Sequence, residues 1–165
     1  MTLPEFRAMG IVGWYLKNGS KTTVGGIALL ILAFLIPIAA GYFLGSLNFS
    51  LIISKKKFGE DVRDHGSGNA GATNVARCFG LKAGFATLAC DMLKTVIAML
   101  IGRLLTGDSG EALAGAFCLM GHCFPVYFSF RGGKGVSAGA ALALMQGLGV
   151  FGVTMEVFGL AALVG

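Results

Sequence analysis

The chain has 165 residues, of which 55% are hydrophobic and only 13% charged. A soluble domain of this length carries about a quarter charged residues, so the composition excludes an ordinary water-soluble globule and points to a membrane protein. The formal net charge of +5 calls for no nucleic acid, because basic loops beside anionic lipid account for it.

Residues 1–26 form a head in which Trp14, Tyr15, Lys17 and Lys21 stand close to the first long apolar run. It is too interrupted for a cleavable signal peptide and reads as an interfacial amphipathic segment with aromatic rings at headgroup depth, or else as a poorly ordered tail. From Ile27 to Ile53 no residue is charged. That run is long enough to cross a hydrocarbon core of roughly 30 Å with some tilt. Pro37 predicts a kink, and Gly41, Gly45 and Ser46 predict a small face for close helix packing. Lys55, Lys56 and Lys57 end the span.

A polar loop over 54–82 leads to a second crossing, 83–102, which contains Asp91 and Lys94 three residues apart on one helix face. Charges inside hydrocarbon face the bundle or pair, so these two are expected to form a packing ion pair or a polar wall beneath a substrate. A short connection over 103–111 precedes a third crossing, 112–130, with His122 and Pro125 in its second half. The glycine turn Arg131-Gly132-Gly133-Lys134-Gly135 follows. Residues 136–165 read as a half-helix to Gln146 and a further crossing from about Gly149. The expected fold is an all-α integral membrane protein, a polytopic transmembrane helix bundle in which 27–165 form one domain. Cys78, Cys90, Cys118 and Cys123 show no metal-ligand spacing and are expected to be small apolar residues or free thiols.

Lys and Arg set the orientation. The 54–82 loop holds six and the 131–134 turn two, against four in the head and at Arg103. This favours a cytoplasmic position for both glycine-rich loops.

The chemistry is concentrated in those loops. His65 to Arg77 includes Gly66, Gly68 and Gly71, the short donors Ser67, Asn69, Thr73 and Asn74, and no bulky apolar residue except Val75. Such a run builds no core, but its backbone N–H groups are free to meet an anion, and Arg77 offers a planar fork for phosphate. Gly132, Gly133, Lys134 and Gly135 lead into an apolar helix through Ser137, a second anion-binding pattern, though not a Walker A loop. Alone, that turn reads first as a tight bend with interfacial basic residues; paired with the first loop on the same face, it reads as an anion site. His122 is either a general base or a packed histidine bonded to a neighbour. His65 is either a base or phosphate donor beside the loop, or a solvated loop residue.

Gly45-Ser46, Asp61-Val62-Arg63, His65 to Asn74 with Arg77, Asp91-Met92-Leu93-Lys94, Gly121 to Val126 and Phe130 to Val136 together carry a resemblance. In this order they are similar to the bacterial acyl-phosphate-dependent glycerol-3-phosphate acyltransferases, the PlsY family. The resemblance covers about residues 41–137. It implies an enzyme of the bacterial cytoplasmic membrane that moves a fatty acyl group from acyl phosphate to the 1-hydroxyl of glycerol 3-phosphate, giving lysophosphatidic acid. It implies no cofactor and no metal, and the enzyme that supplies acyl phosphate becomes an expected partner. By match of motif, Ser67, Arg77 and Lys134 are the expected catalytic residues. Ser46, Gly66, Gly68, Asn69, Gly71, Thr73, Asn74, His122, Gly132, Gly133, Gly135 and Ser137 are the expected substrate-binding set.

Acyl phosphate is already an activated anhydride, so such a site needs mainly to hold two phosphates together and stabilise an oxyanion. The family's third motif, His-x-x-Asn, does not occur before Gly165. The expectation is therefore that this chain alone binds phosphate with little or no turnover. Two rival readings are a small transporter or channel for phosphate-bearing solutes, suited by Asp91, Lys94 and half-helices, and an inactive family member that binds phosphate or acidic lipid.

Overall fold

The structure, a computed structural model, describes residues 3–18 and 24–147. Among the described residues every regular element is helical. They are α1 (Leu3–Asn18), α2 (Val24–Ser46), α3 (Phe49–Ile53), α4 (Ala72–Phe79), α5 (Leu81–Cys123) and α6 (Val136–Gln146), with single turns at Ser54–Phe58, Val62–Asp64 and Val126–Phe128. Two stretches, Gly26–Phe58 and Leu81–Phe128, are long and apolar enough to cross a membrane.

The uncharged run 27–53 is divided in two. α2 ends at Ser46, Asn48 takes an extended conformation, and its side-chain oxygen accepts the Leu51 N–H at 3.3 Å to start α3. An asparagine offering the backbone such a cap competes with helix continuation, and here it wins.

α5 is a hairpin, not a rod. At Thr106 and Gly107 the backbone leaves the helical region, Gly107 with φ 68°, and the chain returns antiparallel. Cys118 Sγ thereby comes within 3.5 Å of Thr95 Oγ1, although 23 residues separate them. The connection expected over 103–111 thus shrinks to a two-residue reversal between arms 81–105 and 108–123. The crossing expected to reach Phe130 ends as a helix at Cys123, because Pro125 cannot continue it. Leu93, Ile97, Leu100 and Leu104, three or four apart on the outgoing arm, are all exposed and form the stripe that faces lipid.

α2 packs along the returning arm of α5 through small residues. A Cβ added to Gly41 would run into the Ala114 carbonyl, one on Gly45 into the Cys118 carbonyl, and one on Gly121 into the Tyr42 carbonyl. The small face expected from Gly41 and Gly45 is this contact, in which helices approach until backbone meets backbone.

The head is helical but bent. The chain turns at Gly10 (φ 62°) and brings Lys17 Nζ to 3.2 Å from Glu5 Oε1. Gly10 rests on Leu105 and Gly107, so α1 caps the reversal of α5. Trp14 and Tyr15 are exposed, as an interfacial reading requires. α6 ends at Gln146 before Gly147, where the half-helix was expected to stop; a further crossing from Gly149 lies outside the described residues. The end of α2, both ends of α5, α4 and the start of α6 therefore meet at one end of the bundle, opposite α1.

A candidate anion-binding site where two loops meet

The first loop is organised by one amide. Asn74, on α4 and buried, donates through Nδ2 to the Val62 carbonyl at 3.0 Å and the His65 carbonyl at 2.9 Å. Its Oδ1 accepts the Ser67 N–H at 2.9 Å. The side chain expected to meet substrate is thus spent on holding 62–67 in shape. Phe79, at the end of α4, stacks on Phe58 at 4.6 Å and anchors the helix to the turn after α3.

A second strut joins the loops to each other. Arg63 holds Asp61 in a two-point contact, Nε to Oδ1 at 3.0 Å and Nη2 to Oδ2 at 2.7 Å. Its remaining nitrogen donates to the carbonyls of Phe128 at 3.3 Å and Arg131 at 3.1 Å. Hydrogen bonding from Arg63, opposed by partial burial and aided by the Arg63 backbone and Lys55, holds the Asp61 carboxyl well below the usual carboxylate range. The same hydrogen bond raises the Arg63 guanidinium further above its ordinary value. Asp61 and Arg63 were visible in the sequence only as motif letters; nothing in their spacing announced that Arg63 would reach carbonyls 65 and 68 residues away.

The glycine turn is docked on the end of α5. The Gly132 N–H donates to the Cys123 carbonyl at 3.1 Å and the Gly133 N–H to the His122 carbonyl at 3.2 Å. These two donors close the helix and are not free for a ligand. Gly133 also admits no side chain, since a Cβ would lie 2.6 Å from His122 Nε2 and strike the Ala70 carbonyl.

Between the loops lies a cavity of about 330 Å³. Ser67, Asn69, Gly71, Thr73, Asn74 and Arg77 line it from the first loop and α4. His122, Lys134, Gly135 and Ser137 line it from α5, the glycine turn and α6. Neither α4 nor α6 has a side-chain cap at its N-terminus, and the first-turn residues Ala72, Thr73, Val136 and Ser137 all border the cavity. Two helix N-termini with orphan N–H groups thus open onto one space, beside Arg77 and Lys134, which are exposed and have no ion-pair partner among the described residues. Dipole, donor and charge together make this space the candidate anion site. An apolar groove of about 240 Å³, formed by Ala76, Leu81, Gly84 and Phe85, shares Ala72, Thr73 and Leu88 with the cavity.

Gly66 and Gly68 shape the first loop at positive φ without bordering the cavity, and Gly132 and Gly133 support it from outside. Ser46 is not at the cavity either. Its hydroxyl donates to the Tyr42 carbonyl at 2.8 Å and accepts the Val126 N–H at 3.3 Å, tying α2 to the turn before the glycines. His65 turns away to Glu60, with Nε2 to Oε2 at 3.0 Å.

Beneath the cavity sits a buried charged cluster. Lys94 Nζ lies 2.8 Å from Asp91 Oδ1, 2.9 Å from the Gly45 carbonyl, 2.7 Å from the Leu47 carbonyl and 3.1 Å from His122 Nδ1. The Asp91–Lys94 pair does more than neutralise itself. It closes the end of α2 and holds a histidine that borders the cavity.

Known proteins match this chain in sequence and fold. The family model for glycerol-3-phosphate acyltransferase matches residues 24–165. A glycerol-3-phosphate acyltransferase of Thermoanaerobacter sp. (strain X514) is 43% identical over 118 residues, covering 70% of this chain and 60% of the relative. One from Coxiella burnetii (strain Dugway 5J108-111) is 46% identical over 123 residues, covering 73% and 64%. The chain thus spans somewhat under two thirds of the length of these curated relatives. The crystal structure of PlsY (YgiH), an integral membrane glycerol 3-phosphate acyltransferase, in its glycerol 3-phosphate form superposes with a TM-score of 0.63 at 36% identity, over 75% of this chain and 60% of that one. Its lysophosphatidic acid form gives 0.59 at 32%, over 75% and 59%. The helical bundle and the sequence agree, and the chain belongs to the glycerol-3-phosphate acyltransferase family of integral membrane proteins.

Proposed function

We propose that the cavity between the two loops is where a fatty acyl group passes from acyl phosphate to the 1-hydroxyl of glycerol 3-phosphate, giving lysophosphatidic acid and inorganic phosphate. The observation that carries this reading is the convergence of two uncapped helix N-termini with Arg77 and Lys134 on one space. Two phosphates meeting there would have their repulsion offset by two cations and two dipole ends. The apolar groove that shares Leu88 with the cavity suits an acyl chain whose reactive end lies among the polar groups. Ser67, at the rim, supplies a donor to a phosphate or to the developing oxyanion.

The same reading puts the loops on the cytoplasmic face of the bacterial inner membrane, where acyl phosphate and glycerol 3-phosphate are made. The enzyme that produces acyl phosphate is then a neighbour in metabolism. Cysteines at positions 67 and 134 in sealed vesicles should react only with reagent on the cytoplasmic side; labelling from outside overturns the orientation.

The chemical test follows labelled glycerol 3-phosphate into lipid with acyl phosphate as donor. In a full-length family context, Lys134→Arg exchanges a compact ammonium for a wide fork in a crowded turn and should lose most activity, and Arg77→Lys should fail for lack of two parallel hydrogen bonds. Equal turnover with acyl-CoA, or unimpaired Lys134 variants, overturns the proposal.

A further inference from the structure

Lys94 as an ammonium only donates, so a hydrogen bond across its 3.1 Å contact with His122 Nδ1 has that nitrogen accepting. A ring that accepts at Nδ1 carries its proton at Nε2 and is neutral. The other groups facing Nδ1 are consistent with this. Asp91 Oδ1 stands farther off at 3.5 Å and is itself engaged by Lys94 at 2.8 Å. The three ammonium protons are shared among four neighbours, the Gly45 and Leu47 carbonyls, Asp91 and the ring.

The opposite edge of the ring looks the other way. His122 borders the cavity with Lys134 and Ser137, and its Nε2 lies where a side chain on residue 133 would otherwise be. Among the described residues Nε2 has no protein hydrogen-bond partner, although the side chain is only 2% exposed. This edge of the ring opens onto the cavity, so a ligand or water there supplies the acceptor that the protein does not.

We infer that His122 is a fixed neutral Nε2–H donor to the phosphate held in this cavity, and that Lys94 is the positioning residue that sets its tautomer. The inference rests on the reading of the cavity as a phosphate site and adds a third donor beside Arg77 and Lys134. It also assigns His122 a role other than general base, since the cavity-facing nitrogen has a proton to donate and no lone pair to take one up. Gly133 belongs to the same device: without a side chain it leaves Nε2–H uncovered.

The chain contains two histidines, so long-range proton–nitrogen NMR of histidine-labelled protein in detergent resolves both rings, with His65→Gln assigning them. In the wild type His122 should show one protonated nitrogen, Nε2, and one bare nitrogen, Nδ1. A protonated Nδ1, in either a neutral or a charged ring, overturns the inference whatever the cavity binds.

In protein labelled at lysine as well as histidine, with Lys134→Met assigning its signal, titration with inorganic phosphate should then move Nε2 together with the Lys134 signals. Movement of Lys134 without Nε2 overturns the role of His122 alone. Phosphate that moves neither overturns the reading of the cavity and the inference with it. Removing the ammonium in Lys94→Met should admit the Nδ1–H tautomer; an unchanged Nε2–H ring in that folded variant overturns the role of Lys94. His122→Gln, which sets an amide N–H near the position of Nε2, should bind phosphate roughly tenfold or more tightly than His122→Asn, whose amide reaches only Nδ1. Equal weakening by both variants would refute a donor at Nε2.

Discussion

Along the shaft of the bundle, α2 meets the returning arm of α5 through residues that lack side chains, Gly41, Gly45 and Gly121. At the loop end the same two helices are joined by side chains with charge, Lys94 to the Gly45 and Leu47 carbonyls and to His122. In the shaft lipid is as apolar as leucine, so burial of apolar groups gives no drive and close approach of backbones must hold the helices together. At the loop end helices stop, carbonyls are left over, and only donors from elsewhere can satisfy them. The two regions should therefore fail in opposite ways, the shaft when atoms are added and the loop end when they are removed.

The largest effect is expected at the loop end. Lys94→Met leaves Asp91 buried without its cation and the carbonyls of Gly45 and Leu47 unbonded, at a cost of about 3–5 kcal/mol. Asp91→Asn should cost less, because Lys94 keeps both carbonyls and His122. Thermal unfolding in detergent ranks the two, and a milder Lys94 variant would show that the ion pair alone matters. Ser67→Ala comes next and touches function only. Loss of one donor to a phosphate or oxyanion should reduce the rate on the order of 10²–10³, with stability unchanged within about 0.5 kcal/mol. Equal falls in both would assign Ser67 to the scaffold.

Gly45→Val tests the shaft. Its added atoms meet a backbone carbonyl that cannot yield, so destabilisation of about 1–3 kcal/mol is expected, with phosphate binding at intact loops altered less. A neutral result would mean the helices have room to part. The smallest effect is at the strut between loops. Asp61→Asn should cost on the order of 1 kcal/mol, with a pH dependence. Because the Asp61 carboxyl is held below its ordinary value, its contribution is fully present above about pH 4 and fades as the pH falls further. Asp61→Asn should remove that dependence; its persistence would assign it to another group.

The sequence made some of this legible and hid the rest for a physical reason. The glycine-rich loops, the small face at Gly41 and Gly45 and the end of α6 at Gln146 are local matters of composition and period, and they stand where the residues suggested. Asn74 looked like a ligand residue because asparagine offers donors and an acceptor; that Val62 and His65 take the donors and the Ser67 N–H takes the acceptor is a fact of chain folding. The division of the first apolar run at Asn48 was hidden because hydropathy is blind to a cap. The reach of Arg63 across to Phe128 and Arg131 belongs to the same class. A sequence announces which groups are able to bond, while their partners are chosen by topology.

Lys94 also imposes an order in time. A ribosome delivers α2 some 47 to 49 residues before the lysine that will bond its last carbonyls. Until that residue arrives, the end of α2 can be satisfied only by water or lipid headgroups, and it cannot sink to its final depth. The first helix to leave the translocon is thus finished by the next one, and the floor of the cavity is laid only when both are side by side.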